Sequence, residues 1–210
     1  YSAKEPLPHP PPAPGFPLRL LSSSQIKANK GHAELARTLA ALRDRGFPFH
    51  WDVAGTGAAL DDLLKLCRAL NLEERVTFHG FQRNLSPLLR ACDVFVLPSY
   101  QEGLPNTLLE AMAHGLTPVA RAVGGVAECW PPGLSDLLIP PETLREQDGP
   151  PDPGALPLFA PLRKVLSATA GDIHQWKRLA WEHCARNFSL ASQAEKLEAF
   201  FLDRLRALPA

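Results

Sequence analysis

The sequence lacks several features that mark common functional classes. Its 22 Lys and Arg residues balance 22 Asp and Glu residues, which gives a formal net charge of +0 at pH 7. A neutral chain is not drawn by its charge to nucleic acid or to an anionic membrane surface. The apolar runs of the sequence stay well short of the ~20 residues that a membrane-spanning helix needs. We therefore expect neither nucleic acid nor a bilayer as a direct partner.

Metal ligands and paired cysteines are also scarce. The four cysteines form no Cys-x-x-Cys pair, so the sequence predicts neither a zinc site nor a disulfide framework. No Asp-x-Asp pair is present to hold Mg²⁺ against a nucleotide, and we expect no metal and no cofactor. Unpaired thiols are typical of a reducing compartment, which favours a cytoplasmic location.

Proline marks the irregular parts of a chain whose length suits one α/β domain. At 210 residues the sequence is too short for two such domains. Residues 1–17 are rich in proline and predict an extended linker, which leaves residues 18–210 as the domain. A second proline-rich stretch with an acidic centre, residues 131–161, predicts a long surface loop.

Apolar runs of strand length alternate with helical patterns along the domain. The predicted strands are residues 19–22, 49–54, 76–79, 94–97, 118–121 and 137–139. The predicted helices are residues 33–45, 59–70, 85–91, 106–114, 125–129, 156–168, 172–186 and 191–205. Strands joined by single helices need right-handed crossovers. The fold class is thus α/β, a doubly wound, mostly parallel Rossmann-like sheet of about six strands with helices on both faces and its ligand at the carboxyl ends of the strands.

The most informative stretch is DVFVLPSYQEGLPNTLLEAMAHG, residues 93–115. A short buried strand ends at Pro98, a turn carries Glu102, and a helix beginning near Asn106 carries Glu110 in its second turn. The free amides at such a helix start attract phosphate, so two nearby carboxylates suit hydroxyl groups instead. We expect both carboxylates to border one cleft that takes a diphosphate between a ribose and a sugar.

These residues carry a resemblance to a known family. Glu102 and Glu110 stand in a Glu-x7-Glu spacing, followed by Ala111 and the small-residue helix end at Gly115. In this the chain resembles the donor-binding, C-terminal domain of retaining glycosyltransferases of the two-domain GT-B fold, the glycosyl transferases of group 1. The resemblance implies one half of a GT-B enzyme of the hexosyltransferase type in carbohydrate biosynthesis. It also implies an absent N-terminal acceptor-binding domain, through which any membrane contact would be made.

The resemblance further implies a metal-free transfer from a UDP or GDP sugar with retention at the anomeric carbon. Lys30 and Glu102 are the implied catalytic residues: Lys30 neutralises the leaving diphosphate, and Glu102 contacts the donor sugar. Gln25 stands where the family usually has an arginine for the same phosphate. The implied donor-binding residues are Gln25, Gly55, Gly80, Phe81, Gly103, Asn106, Thr107, Leu108 and Glu110.

Several alternatives remain open from the sequence alone. Phe81 covers the base of the donor, packs in the core or serves as a lid residue, and His32 is expected to be a hydrogen-bonded or solvated histidine. The last helix has an apolar stripe that closes the domain's own core or faces another surface: Leu190, Ala194, Leu197, Phe201, Leu205 and Leu208. The chain is either half of a glycosyltransferase, a catalytically silent nucleotide-sugar-binding module, or an epimerase of the same architecture. A receiver-type signalling domain fits less well, because serines follow the first strand where acidic residues are needed.

Overall fold

Six parallel strands form one sheet in the computed structural model, which describes residues 17–141 and 156–206. Across the sheet their order is β3-β2-β1-β4-β5-β6. This confirms the predicted parallel α/β architecture, and each predicted strand lies within one residue of its observed ends. The strands are β1 (Leu18–Ser23), β2 (Phe49–Ala54), β3 (Val76–Gly80), β4 (Val94–Leu97), β5 (Thr117–Arg121) and β6 (Leu138–Ile139).

Helices cover both faces of this sheet. They are α1 (His32–Asp44), α2 (Leu60–Ala69), α3 (Ser86–Ala91), α4 (Asn106–Ala113), α5 (Phe159–Leu166), α6 (Ala170–Phe188) and α7 (Leu190–Arg206). The chain runs one way across the sheet from β1 to β3 and the other way from β4 to β6, so right-handed crossovers place α1 and α4 on opposite faces. Accordingly α1 contacts α2 and α5, whereas α4 contacts α6. Within the described ranges, none of the helices combines the length and apolarity needed to cross a bilayer.

The two central strands form the middle of the core. Leu20 and Leu21 of β1 pair in register with Val94 and Phe95 of β4, and all four side chains are fully buried. A strand covered by helices on both faces must be apolar on both, which accounts for the uninterrupted apolar run of β4. This rigid centre positions the loops that follow β1 and β4.

Three helical segments differ from the sequence prediction in helix type or by more than one residue at an end. One of them, predicted as 156–168, is α5 and spans only Phe159–Leu166. The predicted helix 125–129 is a 3₁₀ helix, Gly124–Cys129, and the amide of Gly125 in its first turn donates to the carbonyl of Gly103. The helix expected to begin at residue 172 begins at Ala170. There Thr169 and Asp172 form a capping box, in which each side chain accepts a hydrogen bond from the other's amide.

A buried carboxylate links the first three strands. Asp52 of β2 accepts hydrogen bonds from Arg19 of β1 at 2.8 Å and pairs with Nε2 of His79 on β3 at 2.7 Å. Burial alone would raise the pKa of Asp52, but the hydrogen bonds from Arg19 and His79 hold it below its ordinary value. His79 is thus a structural residue near the end of a strand.

The sequence predictions for the rest of the chain have mixed outcomes. The acidic part of the proline-rich loop, residues 142–155, and the proposed linker apart from Pro17 lie outside the described residues. The four cysteines are buried free thiols, and burial raises the pKa of Cys67, Cys129 and Cys184 to about 11. In α7 the described stripe residues Leu190, Leu197 and Phe201 are exposed, so they do not close the domain's own core.

Candidate functional site

A cavity of about 370 Å³ opens at the carboxyl ends of the central strands. It lies where the chain reverses its direction across the sheet, between β1 and β4, which is the usual ligand position in doubly wound folds. The loops after β1, β2 and β3 and the first turns of α4 form its wall. The lining residues are Ser23, Ser24, Gln25, Ala54, Gly55, Thr56, Phe81, Gln82, Arg83, Leu85, Thr107 and Glu110.

Backbone hydrogen bonds hold these loops together. The amide of Ser24 donates to the carbonyl of Ala54 at 3.2 Å, and the amide of Gly55 donates to the carbonyl of Gly80 at 2.7 Å. These bonds continue the hydrogen-bonding pattern of the sheet beyond the strand ends, so the first residues of each loop lie as close to the neighbouring loop as the strands lie to each other. The cavity wall is therefore fixed by the same backbone hydrogen bonds that extend the sheet.

Five of the residues predicted from the sequence line this cavity: Gln25, Gly55, Phe81, Thr107 and Glu110. Phe81 is 72% exposed, so the alternative that it packs in the core is wrong. Its ring stands open at the wall of the cavity, free to cover a planar ligand. Glu110 is partly buried and supplies the only negative charge among the lining residues.

Lys30 and Glu102 lie outside that lining and pair with each other. The ammonium of Lys30 is 2.8 Å from Oε1 of Glu102 and 3.2 Å from the carbonyl oxygen of Gln101. Both side chains are largely buried. The structure thus brings together the two residues that the sequence predicted as catalytic, although Glu102 and Glu110 do not line the cavity together as expected.

The start of α4 offers fewer free amides than the sequence suggested. The amides of Asn106 and Leu108 donate to the carbonyls of Leu104 and Pro105 at 2.9 and 3.0 Å. The amide of Thr107 makes no hydrogen bond to any residue that the structure describes. The amide of Thr107 can therefore donate a hydrogen bond to an anion at this end of the helix. The remaining predicted residues, Gly80 at the end of β3 and Gly103 in the loop after β4, lie outside the lining.

Arg83 is a lining residue that the sequence prediction missed. It is exposed, and it carries the only positive charge among the residues around the cavity. It forms no ion pair or hydrogen bond within residues 17–141 and 156–206. The signal available in the sequence was its position four residues after the end of the predicted strand 76–79, because such loops meet at the ligand edge of the sheet.

A second polar cluster, also missed, lies beneath the loop after β4. The hydroxyl of Tyr100 donates to Oε2 of Glu34 at 2.7 Å, and the guanidinium of Arg121 bonds the same oxygen. Burial and this hydrogen bond raise the pKa of Tyr100 to about 12. No sequence signal joins these residues, which come from α1, β5 and the loop between β4 and α4.

His32 corrects one expectation. It was expected to be hydrogen-bonded or solvated, but it is only 3% exposed and neither ring nitrogen has a partner among the described residues. Burial, together with the positive charge of Lys30, lowers its pKa to about 4. The ring is therefore neutral at pH 7, beside the start of α1.

Metal ligands do not converge near the cavity. Across residues 17–141 and 156–206, no group of three or more His, Cys, Asp or Glu side chains is placed to hold a metal ion. The expectation of metal-free chemistry stays a prediction. The charges available at the site are those of Lys30, Arg83, Glu102 and Glu110 together with the amide of Thr107.

Known proteins resemble this chain in sequence and in fold. The model of the family Glycosyl transferases group 1 matches residues 17–147, more than half of the chain. The putative glycosyltransferase EpsF of Bacillus subtilis is 41% identical over 87 residues, which cover 41% of this chain and 23% of that protein.

Two solved structures have the same architecture. The sucrose-phosphate synthase of Thermosynechococcus elongatus matches with a TM-score of 0.71 at 24% identity, over 91% of this chain and 46% of that one. Anabaena HepE, solved in complex with UDP and glucose, matches with a TM-score of 0.71 at 20% identity, over 91% of this chain and 49% of that one. At these identities the similarity establishes the fold. The chain spans less than half of the length of each of these three relatives.

Proposed function

The chain belongs to the family of group 1 glycosyl transferases, and on that basis we propose that it is the donor-binding domain of an enzyme that transfers a sugar from a nucleoside diphosphate sugar to an acceptor. The observation that carries the proposal is the cavity at the strand ends, where the carboxylate of Glu110 stands one turn away from the amide of Thr107, which has no hydrogen-bond acceptor in the described part of the chain. A carboxylate accepts hydrogen bonds from hydroxyl groups, and an amide at a helix start binds phosphate. A ribose followed by a diphosphate needs these two groups in that order.

The cavity suggests how the nucleoside part of the donor is held. Phe81 offers an exposed ring to cover the base, and the tight loop at Gly55 lets the ligand approach the sheet edge. Arg83 adds one cation on the same wall. The complex of HepE with UDP and glucose supports a nucleoside diphosphate as the ligand class, with UDP or GDP as the first candidates.

Lys30 and Glu102 are proposed to act on the other end of the donor. As the bond to the sugar breaks, negative charge develops on the leaving phosphate, and the ammonium of Lys30 meets that charge without a metal. Glu102 contacts hydroxyl groups of the sugar. Before the donor binds, the two side chains neutralise each other at 2.8 Å. The proposed transfer retains the configuration at the anomeric carbon of the sugar.

Gln25 favours a second candidate, a module that binds nucleotide sugars without turning them over. It lines the cavity where the resembling family usually has an arginine, and an amide cannot neutralise a diphosphate. Removing one group that stabilises the developing charge commonly raises the activation barrier by about 3 kcal/mol. Release of nucleoside diphosphate from a sugar nucleotide, measured with the protein at its full natural length, separates the two candidates: an active enzyme releases it, and a silent module does not.

The acceptor side of the reaction is proposed to belong to a second α/β half, as in the two-domain structures that this chain matches over 46% and 49% of their length. The exposed face of α7, with Leu197, Phe200 and Phe201, is apolar and suits packing against that half. We expect the domain alone to bind donor but to transfer sugar poorly. Buried free thiols support a cytoplasmic setting.

Calorimetry with uridine diphosphate and guanosine diphosphate tests the donor site. We expect the chain to bind at least one of them, and Glu110→Ala to weaken that binding about tenfold while changing the free energy of unfolding by less than about 0.5 kcal/mol. Glu128→Ala is the matched control, because Glu128 is exposed and lies outside the cavity. Absence of binding to both nucleotides, or equal affinity in Glu110→Ala, would refute the proposal.

A further inference from the structure

The loop that carries Glu102 is held by a buried cluster beneath it. Tyr100, two residues before Glu102, donates its hydroxyl hydrogen to Glu34 of α1 at 2.7 Å. The guanidinium of Arg121 on β5 bonds the same carboxylate oxygen and lies over the Tyr100 ring, 4.7 Å from its centre. One aromatic side chain of the loop is therefore fixed from both sides by charged groups of the sheet and of α1.

Stability does not account for this cluster. The side chain of Arg121 is 0% exposed, and its Nε and Nη1 atoms have no hydrogen-bonding partner among the described residues. Oε1 of Glu34 likewise accepts no hydrogen bond from any described residue. Buried charges lose their hydration, and a pair whose remaining donors and acceptors are unsatisfied contributes little to stability or opposes it. Such a pair can still impose one conformation on the groups that it holds.

The fixed loop in turn contacts the segment that carries Lys30. The amide of Tyr100 donates to the carbonyl of Asn29 at 2.9 Å, and Lys30 donates to the carbonyl of Gln101 at 3.2 Å. Displacing the Tyr100 backbone would therefore move Glu102 and Lys30 relative to each other.

The far side of the loop is closed by Gly124. Its φ of +54° lies in the region that favours glycine, and a Cβ there would lie 1.9 Å from the carbonyl oxygen of Glu102. The loop therefore has little room to adjust on this side. A displacement of Tyr100 would be passed on along the loop to the Glu102 side chain.

We infer that Tyr100, held by Glu34 and Arg121, is a positioning residue that sets the placement of Glu102 toward the sugar of the donor. The inference rests on the proposed function, because it assigns the sugar contact to Glu102. It predicts that disturbing the cluster weakens recognition of the sugar and leaves recognition of the nucleoside diphosphate, which Glu110 and Thr107 hold, unchanged.

The test compares two ligands, uridine diphosphate and uridine diphosphate glucose, with guanosine diphosphate and guanosine diphosphate mannose as a second pair. Tyr100→Phe keeps the ring under Arg121 and removes only the hydroxyl that Glu34 accepts. We expect it to lower the affinity for the sugar nucleotide about fivefold and that for the diphosphate less than about twofold. Glu102→Gln should also lower the affinity for the sugar nucleotide relative to that for the diphosphate, and adding Tyr100→Phe should change this ratio by less than about twofold in the double variant.

Lys177→Met is the control for a purely structural loss. It breaks another buried pair, in which Lys177, 6% exposed, lies 2.8 Å from Asp93. We expect it to lower the unfolding temperature without changing the ratio of the two affinities. If Tyr100→Phe likewise lowers only the unfolding temperature, or if Glu102→Gln leaves the ratio unchanged, the inference is overturned. A parent chain that binds no ligand of either pair refutes the proposed function itself, and the inference with it.

Discussion

Lys30 and Glu102 are 72 positions apart in the chain, yet their charged atoms are 2.8 Å from each other. Lys30 follows β1 and Glu102 follows β4, and these two strands are neighbours at the centre of the sheet. The pair is largely buried, so each charge is neutralised mainly by the other. A ligand that engages either residue must therefore compete with this contact.

Because a ligand competes with the contact between Lys30 and Glu102, substitutions of these two residues should have opposite effects on ligand binding. We expect Lys30→Met to weaken binding of the nucleoside diphosphate about tenfold, because an ammonium-phosphate contact is lost. Glu102→Gln should instead strengthen it about threefold, because Lys30 no longer shares its charge with a carboxylate. Titration calorimetry measures both. Lys164→Met, which removes the partner of the exposed Asp136, is the control. Weaker binding in both variants would contradict this competition.

Gln25 is expected to limit phosphate binding. The variant Gln25→Arg should strengthen binding of a nucleoside diphosphate about fivefold, since a charge-assisted hydrogen bond gains more than a neutral one, although less at an exposed position. The gain should shrink as salt is added. Gln193→Arg makes the same chemical change on α7, away from the cavity, and should have no effect. An affinity unaltered by Gln25→Arg would show that the phosphates lie elsewhere.

His32 predicts a loss of stability on mild acidification. Its pKa is about 4 in the folded chain against an ordinary 6.5, so between these values the unfolded chain binds more protons. The stabilisation is present above pH 6.5 and is lost as the pH falls toward 4. We expect the free energy of unfolding to fall by about 2 kcal/mol between pH 7 and pH 5 from this residue, as measured by urea denaturation.

The variant His32→Gln isolates that contribution. It should remove most of the dependence of the free energy of unfolding on pH between pH 7 and pH 5. A smaller dependence should remain from His183, because burial lowers the pKa of that residue as well. His174 is exposed, so His174→Gln should keep the full slope. An unaltered slope in His32→Gln would show that His32 is not the group responsible.

The exposed face of α7 should contribute little to the stability of this domain. We expect Leu197→Ser and Phe201→Ser to change the free energy of unfolding by less than about 0.5 kcal/mol, since both side chains are already in water. Leu108→Ala, at a fully buried position of α4, should cost about 3 kcal/mol in the same urea titrations. Losses of that size at Leu197 or Phe201 would place them in the core.

Local patterns were sufficient for the elements and for part of the site. The apolar run of β4 and the helical spacing in α4 depend on burial and on hydrogen bonds between near neighbours, which the sequence displays directly. Glu110 and Thr107 were found because they lie on one element beside a recognisable turn. The contact between the Gly125 amide of the 3₁₀ helix Gly124–Cys129 and the carbonyl of Gly103 was not found, because it joins residues distant in sequence.

The amino-acid sequence alone established the parallel α/β class, the order of the elements along the chain and the loops that carry chemistry. Each of these can be read from the pattern of apolar residues and turn residues within short segments. The tertiary structure alone decided that Lys30 meets Glu102, that Arg121 reaches Glu34 beneath Tyr100, and that His32 is buried with no partner among the residues that the structure describes. The physical reason is that burial and pairing of charges are set by which strands become neighbours. That order is a property of the whole sheet.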